Sequence, residues 1–377
     1  MKYLSKYILP AVFVVAVFLV AYPQRTRPEL VVEPVWATSA ERATVDGEQD
    51  EEGRGLIPVA FGDGFAYLTR DGRVAYRGRT AAHVALSPDA FVNYSRTSAQ
   101  LVVQHVNGEF RASIPITGYP VFIGDRLFVV GDGGGTISEW SIDGDELWRI
   151  DIAAPLVSIG ASSGYLGLGL GGGGPRIVLP DGTLTELSPA EAGEAPIVHS
   201  IGVSDAPARL AVVAGTESSD RGDAAGDTVP LDLSVYDLES STAERIVHRR
   251  IRASFDAPPL LHLLSDGRLV VSSASDGPAI VTFDPVGSDE HLIPLQFPGR
   301  YVSEIDGLPL EAVLSVSPIA DPSQGFAFPA ELVLVARGGR VPARTSWAAG
   351  TTAIARHGSM LTIQVDDRVL AMRLGVR

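Results

Sequence analysis

Past Leu56 the apolar residues of the chain come in short alternating or β-branched runs, and no stretch sustains the 3.6-residue period of an amphipathic helix. Arg126-Leu-Phe-Val-Val-Gly, Glu146-Leu-Trp-Arg-Ile-Asp-Ile, Arg268-Leu-Val-Val-Ser-Ser, Ala279-Ile-Val-Thr-Phe and Glu331-Leu-Val-Leu-Val-Ala are examples. In Thr136 to Ile142, Ile137, Glu139 and Ser141 fall on one face of a strand, and Ser138, Trp140 and Ile142 on the other. Ser188 to Ala195 has room for one helical turn. The runs are punctuated by Asp-Gly or Asn-Gly at Asp63-Gly64, Asp71-Gly72, Asn107-Gly108, Asp132-Gly133, Asp143-Gly144, Asp181-Gly182, Asp266-Gly267 and Asp276-Gly277. These pairs tolerate the positive φ of tight hairpin turns, so the pattern predicts an antiparallel meander.

A longer period lies above the hairpins. Pro followed by apolar residues recurs at Pro120-Val121-Phe122, Pro155-Leu156-Val157, Pro196-Ile197-Val198 and Pro259-Leu260-Leu261, at intervals of 35, 41 and 63 residues. The last interval holds the polar insert Gly215 to Thr228, and removing about 15 to 20 inserted residues brings it near the same period. Four strands per ~40 residues is the size of a propeller blade. Pro suits the start of an innermost strand, where no ladder N–H is needed. The expected fold is all-β: a single β-propeller over 56–377 with seven four-stranded blades, eight being the alternative. Units fall at 81–117, 118–154, 155–195, 196–258, 259–300 and 301–349. The pieces 56–80 and 350–377 are each too short for a blade and are expected to share one, which closes the ring.

The N-terminus is different in kind. Lys2 and Lys6 precede the apolar run Ile8 to Tyr22; counted from Tyr3, with Lys6 able to snorkel, the segment is about 20 residues, or ~30 Å as a helix, enough to span a bilayer. Pro23 sits just past the run and makes a poor cleavage site, so residues 1–22 are expected to be a retained signal anchor. The N-terminal charge predicts a cytoplasmic N-terminus and an extracytoplasmic, periplasmic body on a single-pass membrane protein. Secretion after cleavage is the alternative. Residues 23–55, with Pro23, Pro28, Pro34 and the acidic stretch Glu41 to Glu52, read as a flexible acidic stalk.

Composition narrows the chemistry. The net charge of −15 over 377 residues argues against a nucleic-acid partner. The chain has no Cys, which excludes disulfides, thiolate catalysis and Cys-based zinc sites. Its only lysines are Lys2 and Lys6, so the body has none for a Schiff base or a phosphate loop.

The stretch from Thr136 to Pro155 resembles a quinoprotein-type (PQQ-like) propeller repeat: strand, Asp143-Gly144 turn, short strand bearing Trp148, then Pro into the next unit. WD40-like propellers share this four-strand logic. The resemblance implies the fold. Envelope relatives without cofactor serve as assembly scaffolds, and quinoprotein enzymes bind a quinone and calcium at the ring centre. The sequence offers no vicinal Cys pair and no clear Asn/Asp/Glu ligand set for the second.

Other motifs are weak. Gly160-Ala161-Ser162-Ser163-Gly164 has the spacing of a nucleophile elbow, but a strand-like run follows where a helix is required, so it reads as a hairpin turn. Gly167, Gly169 and Gly172 fit G-x-G-x-x-G, and again a strand follows. His199 and His262 each lie three residues after a Pro that opens a unit, and are candidates to face the central channel. The insert supplies a candidate partner-binding loop with Asp220, Arg221, Asp223 and Asp227. The expected function is therefore a membrane-anchored, non-catalytic scaffold that binds other envelope proteins and needs no cofactor. The alternative is a quinoprotein-like oxidoreductase or hydrolase with its site in the channel.

Overall fold

The computed structural model describes residues 30–41, 55–187, 196–215, 228–239, 243–254, 259–273, 277–287, 289–304, 310–316, 330–347, 351–357, 360–365 and 368–376. The expected anchor at 1–22 and the insert residues Asp220, Arg221, Asp223 and Asp227 lie outside them. Among the described residues no helix is long and apolar enough to cross a membrane.

The described chain is all strand. Strand β1 is Leu30–Ser39. Blade 1 holds β2 (Ile57–Phe61), β3 (Gly64–Leu68) and β4 (Val74–Arg79). Blade 2 holds β5 (His83–Leu86), β6 (Ala90–Tyr94), β7 (Leu101–His105) and β8 (Phe110–Ile114). Blade 3 holds β9 (Gly118–Ile123), β10 (Arg126–Gly131), β11 (Thr136–Trp140) and β12 (Glu146–Asp151). Blade 4 holds β13 (Leu156–Ala161), β14 (Leu166–Leu170), β15 (Gly174–Val178) and β16 (Leu184–Glu186). Blade 5 holds β17 (Ile197–Asp205), β18 (Ala208–Gly215), β19 (Thr228–Asp237) and β20 (Glu244–Ser254). Blade 6 holds β21 (Leu261–Leu263), β22 (Leu269–Ser273), β23 (Ala279–Phe283) and β24 (Glu290–Pro294). Blade 7 holds β25 (Gly299–Glu304), β26 (Leu310–Val316), β27 (Ala330–Ala336) and β28 (Ala343–Trp347). The chain ends in β29 (Thr351–His357), β30 (Met360–Val365) and β31 (Arg368–Val376).

In blades 1 to 7 the strands are hydrogen-bonded in sequence order and antiparallel. Blade 8 has the order β29-β30-β31-β1: the earliest described strand supplies the outer position of the last sheet, Leu30 opposite Val376 and Ser39 opposite Arg368. The ring thus closes through main-chain hydrogen bonds between its two ends, and neither end strand is left with a free inner edge. Two side-chain contacts lock blade 8 to blade 1. Gln364 Nε2 donates to the carbonyl of Ala60, and Trp36 Nε1 donates to that of Arg70 at 2.7 Å.

The count is eight blades, and the seven expected from the sequence is corrected here. The pieces 56–80 and 350–377 do not share a blade. The first forms blade 1, with three strands among the described residues; the last three strands take their fourth from β1. That strand lies inside 23–55, so the reading of this whole segment as a flexible stalk fails over Leu30–Ser39. The strand signal in Leu-Val-Val and Val-Trp-Ala-Thr was hidden by Pro34 and by the acidic run beyond it. Pro34 is tolerated because β1 is an outer strand, and the register shifts there, between Pro34 and Trp36. The six complete units predicted between 81 and 349 match blades 2 to 7, except that blade 7 opens at Gly299, two residues before the predicted boundary.

The core is divided among the junctions. Eight apolar clusters are found among the described residues, one between each pair of neighbouring blades. The middle strands feed two clusters at once. Leu127 and Val129 of β10 pack toward blade 2 and Phe128 toward blade 4; Leu332 and Leu334 of β27 pack toward blade 8, and Val333 and Val335 toward blade 6. Both faces are therefore buried, and these strands read as unbroken apolar runs rather than as alternation. Each such side chain contributes about 1.5–3 kcal/mol when fully buried.

Outer strands reach across the junctions too. Trp36 lies over the turn at Gly72 (φ +85°), where an added Cβ would fall 2.5 Å from its ring, and Trp148 lies over the turn at Gly182. Tyr76 covers Gly108, Ala112 covers Gly144, and His291 covers Gly339 in the same way. A turn glycine with no side chain is the seat for the preceding blade's outer strand.

Candidate functional site

Blade 5 departs from the others. Its four strands run 9, 8, 10 and 11 residues, and β18 and β19 stop at either end of the insert predicted at Gly215 to Thr228. Its outer strand β20 reads Glu-Arg-Ile-Val-His-Arg-Arg-Ile-Arg-Ala-Ser, with four arginines and a histidine in a strongly acidic chain.

Between β20 and the outer half of blade 6 lies a groove of about 750 Å³. Ile251, Ala279 and Val281 form its buried apolar floor, and Pro230, Pro278 and Pro294 stand at its walls. Leu292 presents an apolar side chain into it that is 59% exposed. The arginines divide the work. Arg249 is fixed in place: its two terminal nitrogens donate to Glu290 at 2.9 and 3.0 Å, and its guanidinium lies 5.0 Å from the centre of the Phe283 ring. The hydrogen bonds from Arg249 hold the Glu290 carboxyl below the ordinary carboxylate range, against a smaller opposing effect of burial. Arg250 is 82% exposed and only 3.6 Å from Asp232, a loose pair. Arg252 is exposed and has no hydrogen bond or ion pair among the described residues. Along β20, Arg249 and Ile251 face blade 6 and the groove, whereas Arg250 and Arg252 lie on the opposite face of the sheet, that of Asp232.

The two histidines singled out in the sequence lie on innermost strands of neighbouring blades, His199 on β17 and His262 on β21. They are out of step. Gly202, not His199, stands beside Leu261 and Leu263, which leaves His199 three residues, or roughly 10 Å, away along the strand. Burial holds the pKa of each imidazole below the ordinary value, and at His262 the charge of Glu304 opposes the effect. Among the described residues no group of three or more His, Cys, Asp or Glu is placed to hold a metal ion.

The nucleophile-like Gly160-Ala-Ser-Ser-Gly164 is a turn and half of a clamp. Asp205, at the corresponding turn of blade 5, accepts hydrogen bonds from the hydroxyls of Ser162 and Ser163 at 2.6 Å, and from the amides of Ser163 at 2.8 Å and Gly164 at 3.0 Å. The Ser162 hydroxyl is thus spent on structure. The glycine-rich run is also structural: Gly167 and Gly169 lie in β14, where a Cβ would meet Leu210 and Val198 of blade 5 at 2.7 and 2.6 Å. They let two sheets approach closely.

Sequence reasoning missed a repeated Arg-Leu at the start of second strands: Arg126-Leu127, Arg209-Leu210 and Arg268-Leu269. Each Leu is fully buried, and each Arg reaches the next blade. Arg126 donates to the carbonyl of Ser162, Arg209 to that of Gly267, and Arg268 pairs with Glu311. The dipeptide after a turn was the available signal.

A closed ring of eight small antiparallel sheets defines a propeller, and the profile of a β-propeller protein family matches residues 1–221. The chain belongs to that family. It is 27% identical over 187 residues to an uncharacterized protein of Treponema pallidum (strain Nichols), a match over 46% of this chain. It covers 48%, about half, of that relative's length. Among solved structures it is similar to BamB from Moraxella catarrhalis, with a TM-score of 0.55 and 15% identity over 91% of this chain and 100% of that one. It is also similar to the computationally designed Ika8 protein, with a TM-score of 0.60 and 11% identity over 90% and 99%. At these identities the two structures speak for the fold.

Proposed function

We propose that the protein is a membrane-tethered, extracytoplasmic propeller that serves as an interaction scaffold for other envelope proteins. The observation that carries this reading is the side groove between blades 5 and 6: a built concavity with an apolar floor and an exposed leucine. Such features mark surfaces that meet a partner. The long apolar run at 8–22, with Lys2 and Lys6 before it, supports the tether, and the quinoprotein-type repeat around Trp148 supports the likeness to scaffold propellers of the envelope.

The test is proximity labelling in the native envelope, with a secreted protein carrying the same labelling enzyme as control. The scaffold reading expects a small set of envelope proteins enriched over the control. No enrichment would overturn it.

A further inference from the structure

We infer that the β1–β31 ribbon is the ring's contact with the membrane: its apolar outermost rungs rest at the headgroup layer of the bilayer, and the end of the ring that carries the turns before the outer strands faces the lipid. The inference rests on the tether proposed above and deepens it by naming the surface that meets the bilayer.

The first argument is register. Tyr76, Ala112 and Trp148, which cover turn glycines of the following blades, are each third in their outer strands; Trp36, which does the same for Gly72, is seventh in β1. Strand β1 therefore overhangs the turn end of the ring by four residues, or roughly 13 Å, where the other outer strands begin. The overhang is paired. β30 and β31 are joined as far as Met360 and Arg373, and beyond that rung, among the described residues, β31 pairs with β1 alone: Val32 opposite Leu374, Val31 opposite Gly375 and Leu30 opposite Val376. These outermost rungs hold only apolar residues and a glycine; Glu33 opposite Arg373 is the first charged one.

The second argument is reach. Residues 23–29 separate the apolar run from Leu30, and the chain from Tyr22 to Leu30 spans at most about 28 Å. Leu30 and Ser39 are opposite ends of β1, about 30 Å apart. A ring turned over would hold Leu30 on the far side of the disc, further from the bilayer than the chain extends. With the turn end toward the lipid the span is met easily. The third argument is chemistry. Asp71, Asp143, Asp145 and Asp181 are exposed at the turns on this end, and anionic headgroups hold such a face off. The ribbon crosses the gap. It keeps free main-chain groups along its edges, which the hydrocarbon core excludes, so its tip stops at the headgroup layer, close in sequence to Arg25 and Arg27.

The chain has no Cys, so a single introduced thiol takes a fluorophore cleanly. Full-length V31C and D132C, each labelled with an environment-sensitive nitrobenzoxadiazole dye, are reconstituted into vesicles of phosphatidylcholine and phosphatidylglycerol in equal parts, with and without a nitroxide on the phosphatidylcholine headgroup. Val31 is in the overhang; Asp132, exposed between β10 and β11, is at the opposite end of the ring. The V31C dye is expected to shift to the blue and to lose most of its emission to the nitroxide, and the D132C dye to keep its own. Equal melting temperatures of the labelled and native chains check the fold. An unquenched V31C dye, or quenching of D132C instead, overturns the inference. So does a disulfide between two unlabelled V31C chains together with an unquenched dye, which would make the ribbon a contact with a second copy. Flotation of the vesicles separates the two readings. A chain that floats with its V31C dye unquenched loses the ribbon inference and keeps the tether, whereas a chain that does not float loses both.

Discussion

Replacing Arg126 with Met should destabilise the ring more than any exposed ion pair would, because this guanidinium joins two blades through a nearly sealed network. Its Nε and Nη2 donate to the two carboxylate oxygens of Glu139 at 2.8 and 2.7 Å. Its Nη1 donates to the carbonyls of Ser162 and Tyr165 in blade 4 at 2.8 and 3.1 Å. The side chains of Arg126 and Glu139 are only 14% and 10% exposed. Removing one partner of such a pair costs about 3–5 kcal/mol, because the other charge is stranded. Glu139 keeps one donor, Trp148 Nε1 at 2.7 Å, which places R126M near the lower end, at about 3 kcal/mol. Removing both charges in R126M/E139L should cost much less than the sum of the two single variants, a coupling of about 2 kcal/mol or more. Urea unfolding followed by tryptophan fluorescence measures all four proteins, and Trp148 itself reports on the site. A cost below about 1 kcal/mol for R126M, or additive single effects, would refute the network as an inter-blade clamp.

Two further predictions concern pH. Burial raises the pKa of Asp205, but the hydrogen bonds from Ser162, Ser163 and Gly164 outweigh it and hold the group at about 2. With the folded pKa below the unfolded one, the stabilisation is complete above pH ~4 and fades as pH falls toward 2. After discounting for solvent screening at this exposed carboxylate, D205N should cost about 1 kcal/mol at pH 6 in urea unfolding, and almost nothing at pH 2. His262 has the opposite charge type: burial disfavours its imidazolium, so the unfolded chain binds the proton more readily. Stability should therefore fall as pH drops below ~6.5, with His199 adding the same sign. Melting temperatures between pH 7 and 5 should show this slope in the wild type and a flatter one in H262N.

The repeating body of the fold was legible in the chain. Positive-φ turns at Asp-Gly and Asn-Gly and the Pro residues opening units set the boundaries of blades 2 to 7 without homologous sequences. The ends were not, for a physical reason. A ring joins residues far apart in sequence, so β1 looks like part of a polar linker until β31 is beside it. Periodicity reads local structure and is silent on pairings across more than 300 residues. The groove was hidden for a similar reason. Leu292 looks like an ordinary strand residue until blade 5 is laid against blade 6. His199 and His262 show the reverse: equal spacing from Pro196 and Pro259 suggested a pair, but a register shift between Val198 and Ser200 and the short β21 set them out of step.

The closure of eight blades by β1 on β31 is tested most directly by a disulfide at a position of their register. The native chain has no Cys, so A37C/L370C carries only the two introduced thiols. These positions are directly opposite in the ladder, within the Cα separation a disulfide accepts. The account predicts rapid, complete intramolecular oxidation, seen as a mobility shift on a non-reducing gel, and no such product for A37C/Q364C, which places the second thiol on β30. Free thiols in A37C/L370C after mild oxidation, or cross-linking only between molecules, would contradict it.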